Sequence, residues 1–108
     1  MSYGKNTVDL RPLLKNCLFE YDPTKNRKLE TERGVSLEEI VGLINKGKLI
    51  SATWHHNPEK YPNQILCEVE VKGYIYVVPT VVDGKRAFLK TAYPSRKATK
   101  KHRDRSVA

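Results

Sequence analysis

Arg, Lys, His and Tyr side chains gather in two stretches of this sequence. They are the set that metal-free phosphodiester chemistry on RNA draws on: a group that removes the 2′-hydroxyl proton, cations that stabilise the phosphorane, and a donor for the leaving oxygen. Pro94-Ser95-Arg96-Lys97 sets two cations just past the end of an expected strand, and Lys100 follows one turn later if the tail is helical. The polar segment His55-His56-Asn57-Pro58-Glu59-Lys60-Tyr61-Pro62-Asn63 offers His56 and Tyr61 for proton transfer, and Tyr61 for stacking on an unpaired base. Arg96, Lys97, His56 and Tyr61 are the candidate catalytic set. Lys25, Lys28, Arg33, Lys60, Tyr93, Lys100 and Lys101 are candidate nucleic-acid contacts. The plain alternatives are a solubilising basic tail, a solvated helix face at Lys25 and Lys28, and a loop whose His and Asn only satisfy local backbone groups.

Other chemistries find no support. His55 and His56 are adjacent, and in extended chain they point to opposite sides, so no metal site is expected. No cofactor is expected either, because there is no Gly-rich phosphate loop, nucleophile elbow or paired-carboxylate site. Cys17 and Cys67 are far apart, lack CxxC spacing and sit in apolar context, as small core residues of a reducing compartment do.

Charge points to a phosphate-bearing partner. Twenty Lys and Arg against twelve Asp and Glu give +8 over 108 residues. Residues 95–108 hold six basic residues against the single acid Asp104, so +5 of the +8 lies in the last fourteen positions. With 39% hydrophobic residues the chain is globular, and no apolar run reaches the roughly 18 residues of a membrane span. The N-terminus lacks the apolar core of a signal peptide, so a cytoplasmic location is expected.

The elements that must position these residues are legible from period and punctuation. Val8, Leu10, Leu13, Leu14 and Cys17 have partly helical spacing interrupted by Pro12, which allows a short helix from Asp9 or Arg11. Leu18 to Tyr21 reads as a short strand. Asp22-Pro23 starts a polar helix that runs to about Arg33 and stops at Gly34. Ser36 and Glu39 form a capping box for a second helix, with Leu37, Ile40, Val41 and Ile44 on one stripe. Alternation then marks strands over 49–54 and 65–71, Gly73 turns the chain, and 74–78 is apolar on both faces. Asp83-Gly84 signals a hairpin into a last strand from about Arg86 to Ala92. The expected architecture is α+β. A short N-terminal strand and two helices pack on a three- to four-stranded antiparallel sheet, as one domain over 18–94, with an N-terminal extension 1–17 and a basic tail 95–108. Ser95 caps any tail helix, whose only interior apolar residue is Ala98, so without a partner the tail is expected to be mobile.

Phe19-Glu20-Tyr21-Asp22-Pro23-Thr24-Lys25 looks like an F-E-W-D-P-x-K segment, and Arg33-Gly34-Val35-Ser36-Leu37-Glu38-Glu39 looks like a G-V-S-F-E-E segment at the same separation. In these the chain resembles the BrnT-like toxins of type II toxin–antitoxin systems. Thr91 through Lys101 resembles their S-A-R-x-A-T-x-x-E ending. His56-Asn57-Pro58, Lys60 to Gln64 and Pro94 to Lys100 are more similar to a sister group of BrnT-like chains. The likeness spans residues 18–102. It implies a RelE/ParE-like fold, a metal-independent ribonuclease that arrests translation and growth, and a hetero-oligomer with a cognate DNA-binding antitoxin. Lys25, Arg96 and Lys100 fall on matched basic positions. Where family members have K-H-G this chain has Glu32-Arg33-Gly34, so no general base is carried over there. A non-catalytic module that binds nucleic acid or an antitoxin, or a degenerate toxin, is the alternative.

Overall fold

A computed structural model describes residues 8–107. The first seven residues of the expected N-terminal extension and Ala108 of the tail lie outside the described residues. The rest of the extension adds Leu10 and Leu14 to the core, with Cys17 packed against it. Helix α1, Arg11–Leu14, carries Pro12 in its first turn, where a missing N–H breaks no bond. Leu10 donates its N–H to the Ala52 carbonyl at 2.8 Å, and Leu10 and Leu14 are buried.

Strand β1, Leu18–Tyr21, leads into α2, Pro23–Arg33, whose N-cap Asp22 accepts from the Thr24 N–H at 2.9 Å. Gly34 ends it at φ 72°, a left-handed position that glycine adopts without steric cost. Helix α3, Leu37–Asn45, begins at Ser36, whose hydroxyl accepts from the Glu39 N–H at 3.0 Å. Asn26 ties the two helices by accepting from the Glu38 N–H at 3.0 Å. α2 buries only Leu29, whereas α3 fully buries Leu37 and Ile40, each worth roughly 1.5–3 kcal/mol. The capped, amphipathic helix anchors its polar neighbour.

Strands β2 (Leu49–Trp54), β3 (Gln64–Val71), β4 (Tyr74–Asp83), β5 (Arg86–Leu89) and β6 (Tyr93–Pro94) complete a six-stranded sheet of order β1-β5-β4-β3-β2, with β6 pairing with β4. The β3–β4 hairpin turns on Lys72 and Gly73, both at positive φ, as the right-handed twist of the flanking strands prefers. Two features differ from the expected antiparallel sheet. β1 adds at one edge in parallel to β5, Phe19 opposite Ala87, so the sheet is mixed. The expected last strand is also divided into β5 and β6.

The sheet has two unequal faces. Ile65, Cys67, Val69, Val71, Val78, Ala87 and Leu89 join Leu14, Leu29, Leu37 and Ile40 in one core beneath α1–α3. Ile75 and Val77 alternate with Tyr74, Tyr76 and Val78, so they point the other way, yet they too are buried. Helix α4, Arg96–Val107, packs against β4 and buries Ala98 and Thr99 there. The rest of that second face is open, and Leu18 and Phe88 on it are exposed. Cys67 is buried with its thiol pushed up to about 11 by burial, and Cys17 is half-buried; both are free. No helix among the described residues is long and apolar enough to cross a membrane.

Candidate nucleic-acid interface

The basic stretch owes its placement to a one-residue β-bulge. Thr80 stands opposite Leu89 and Lys90 donates to the Pro79 carbonyl, but Val77 stands opposite Tyr93. Thr91 and Ala92 thus occupy the space across from Val78, where a regular ladder holds one residue. One inserted residue reverses which face the following side chains meet. Ala92, like Leu89, enters the helix-side core, and Tyr93 is carried round to the side of Val77 and α4 with 39% exposure. Arg33, at the end of α2, reaches the bulge and donates from Nη1 to the Ala92 carbonyl at 3.2 Å.

Past the bulge the chain is tied down at every step. Ser95 donates its N–H to the Ile75 carbonyl at 2.9 Å, and its hydroxyl caps α4 by accepting from the Ala98 N–H at 3.0 Å. Thr99 accepts from the Ile75 N–H at 2.8 Å and donates its hydroxyl to the Ser95 carbonyl at 2.7 Å. The edge of β4 is thereby satisfied, and the first turn of α4 is held, in place of the mobile tail expected. With Ala98 and Thr99 turned inward, Arg96, Lys97, Lys100 and Lys101 are exposed along the first two turns of the helix, the first pair at its positive end. Among the described residues the ion pairs are Arg11–Asp9 and Arg86–Glu20, and neither involves these four cations. Lys25 and Lys28 lie back along α2, about 12 and 8 Å from Arg33 at the helical rise.

The histidine loop is also ordered, but elsewhere. His55 donates its N–H to the Gln64 carbonyl, and its Nδ1 accepts from the Asn57 N–H at 3.0 Å. Its ring lies between those of His56 (4.4 Å between centroids, 24° between planes) and Tyr61 (4.3 Å, 34°). The expectation that the two imidazoles point apart fails because β2 ends at Trp54 and the chain bends at His56. Lys60 Nζ sits 5.5 Å from the Tyr61 ring centre. Partial desolvation, then the neighbouring His56, lowers the His55 pKa from its usual 6.5. Among the described residues no third His, Cys, Asp or Glu joins this pair in a metal-sized cluster.

The two stretches do not meet. Gln64 at the loop is opposite Val81 of β4, while the start of α4 is bonded to Ile75. Six residues of strand separate Ile75 from Val81, about 20 Å. His56 and Tyr61 are therefore at one end of β4 and Arg96 and Lys97 at the other, with Tyr93 and the Arg33–Ala92 bond opposite its middle, at Val77 and Val78.

Two residues the sequence reading passed over belong to these ends. His102, half-buried, follows Ala98 by four and Thr99 by three, which puts it on the packed side of α4, about 9 Å along the axis from Arg96. Trp54, 46% exposed, closes β2 just before the ring stack. An aromatic residue followed directly by two histidines is the signal that marks it. A cavity of about 600 Å³ under α1, floored by Leu14, Phe19, Ile44 and Leu49, holds none of the candidate residues. The candidate interface is thus an open, basic sheet edge, a shape suited to a polymer. No protein-family model matches the chain, and no curated protein or solved structure matches it.

Proposed function

We propose that this chain is an RNA-directed toxin of the BrnT-like, RelE-related kind, a metal-independent ribonuclease paired with an antitoxin. The observation that carries this reading is the bulge at Thr91-Ala92. It ties Arg33 to the strand that leads into Arg96 and Lys97, and turns Tyr93 to the face on which α4 packs. Arg96 and Lys97, with the N-terminus of α4, hold the scissile phosphate and stabilise the negative charge that grows as the 2′-oxygen attacks phosphorus. The P–O5′ bond breaks, the 2′-hydroxyl proton leaves to a base, and the 5′-oxygen takes up a proton. Tyr93 is the acid–base side chain closest in the chain to these cations, and it takes the role that His56 and Tyr61 are too distant to fill.

Purified protein incubated with RNA and EDTA is expected to fragment it, and Arg96→Ala to slow cleavage about 100-fold. Lys46→Ala, at the far end of α3, should leave the rate within about twofold. Intact RNA at high protein concentration, with ribosomes also supplied, would sink the enzymatic reading.

The separation of His56 and Tyr61 from the cations favours a second reading, a non-catalytic module that grips RNA or an acidic antitoxin segment by the same edge. Growth separates the two. Expression alone arrests a culture if the chain cleaves RNA and does not if it only binds.

A further inference from the structure

We propose that the column of rings His56, His55 and Tyr61 is a stacking platform for an unpaired RNA base, a second contact about 20 Å from the basic edge. This rests on the RNA-directed reading above. Three rings in a polar loop bury little against the core, yet they are held in register by their own backbone. The Asn57 N–H fixes the His55 ring, and the Tyr61 N–H donates to the Asn57 carbonyl at 3.0 Å. His55 is anchored in turn on Gln64, a buried residue of β3. That preorganisation leaves His56 exposed at one end of the column, with an outer face on which a flat base continues the stack.

The other end carries Lys60, whose ammonium lies near the Tyr61 ring and is free to meet the phosphate of the same nucleotide or its neighbour. Aromatic faces beside a cation are the elements of single-strand recognition, and they read the presence of a base rather than its identity. Acid–base work by Tyr61 is the competing use, and it needs the phenol oxygen, which stacking does not. At a stacked rise of about 3.4 Å, 20 Å corresponds to about six nucleotides. One strand can therefore hold both ends of the sheet.

The test is fluorescence anisotropy with two labelled strands of roughly twelve units, one bearing bases and one abasic, at low salt. His56→Ala should weaken the base-bearing strand about tenfold and leave the abasic strand unchanged. His56→Phe and Tyr61→Phe, which keep the rings, should bind both strands as the parent does. Arg96→Ala should weaken both strands by the same factor, which identifies the basic edge separately. Equal effects of His56→Ala on the two strands, or no effect on either, overturns the platform while leaving the RNA-directed reading standing. If the parent protein binds neither strand, that reading fails and the platform fails with it.

Discussion

Arg33 shows how a residue's type can be plain and its work hidden. In the sequence it is one more cation at the end of a polar helix. In the structure its guanidinium closes on the Ala92 carbonyl, 59 residues away, and steadies the bulge. His55 is a parallel case. Its Nδ1 accepts the Asn57 N–H, so the neutral ring carries its proton on Nε2. Desolvation of the ring, then the neighbouring His56, disfavours the charged form, so the His55 pKa lies below 6.5. Protonation at Nδ1 would also set a donor against the Asn57 N–H. The sign follows: the contribution of this contact is present above the unfolded value and is lost as pH falls through the lowered folded value. An NMR titration should give His55 a midpoint below 6.5, with the Asn57 amide shifting in the same step. A midpoint at or above 6.5 would show that the Asn57 bond does not hold the ring.

Among the elements, α4 departs furthest from its local signals. Its charge and its single interior alanine describe a helix with little reason to dock. What docks it is a hydrogen-bond exchange with the edge of β4, completed by Ser95 and Thr99. Thr99→Val keeps the shape but leaves the buried Ile75 N–H unsatisfied, at a cost of roughly 1–3 kcal/mol. Urea unfolding should register that loss. Hydrogen exchange should also show the first turn of α4 opening ahead of α3. An unchanged midpoint together with unchanged exchange would mean that Ala98 packing alone holds the helix. By contrast, α2 and α3 follow their signals closely, because Asp22, Gly34 and Ser36 act within a few residues of their own positions.

At the scale of the molecule, the sheet separates the rings from the basic edge. If Arg33, Arg96, Lys97 and Lys100 meet three or four phosphates of a single strand, log K against log salt should fall with a slope of about −2 to −3. Arg96→Ala should remove about 0.7 from that slope. A slope near zero would mean that the edge is not a phosphate site, whatever its charge.

The sequence by itself determined what acts locally. Caps, periods and turn residues specified α2, α3, the alternating β3 and the hairpins, and the charge tally located the basic end. Three things were decided only by tertiary structure. β1 pairs in parallel with β5 because the core beneath α3 needs Phe19 and Tyr21 beside Ala87 and Leu89. The bulge at Thr91-Ala92 arises because Ala92 packs in the core while Ser95 bonds to Ile75, and no residue type announces that one-residue surplus. The distance between His56 and Arg96 depends on strand register, a long-range pairing that composition and motif do not encode. The same residues that suggest one site when read along the chain occupy two ends of a sheet when it folds.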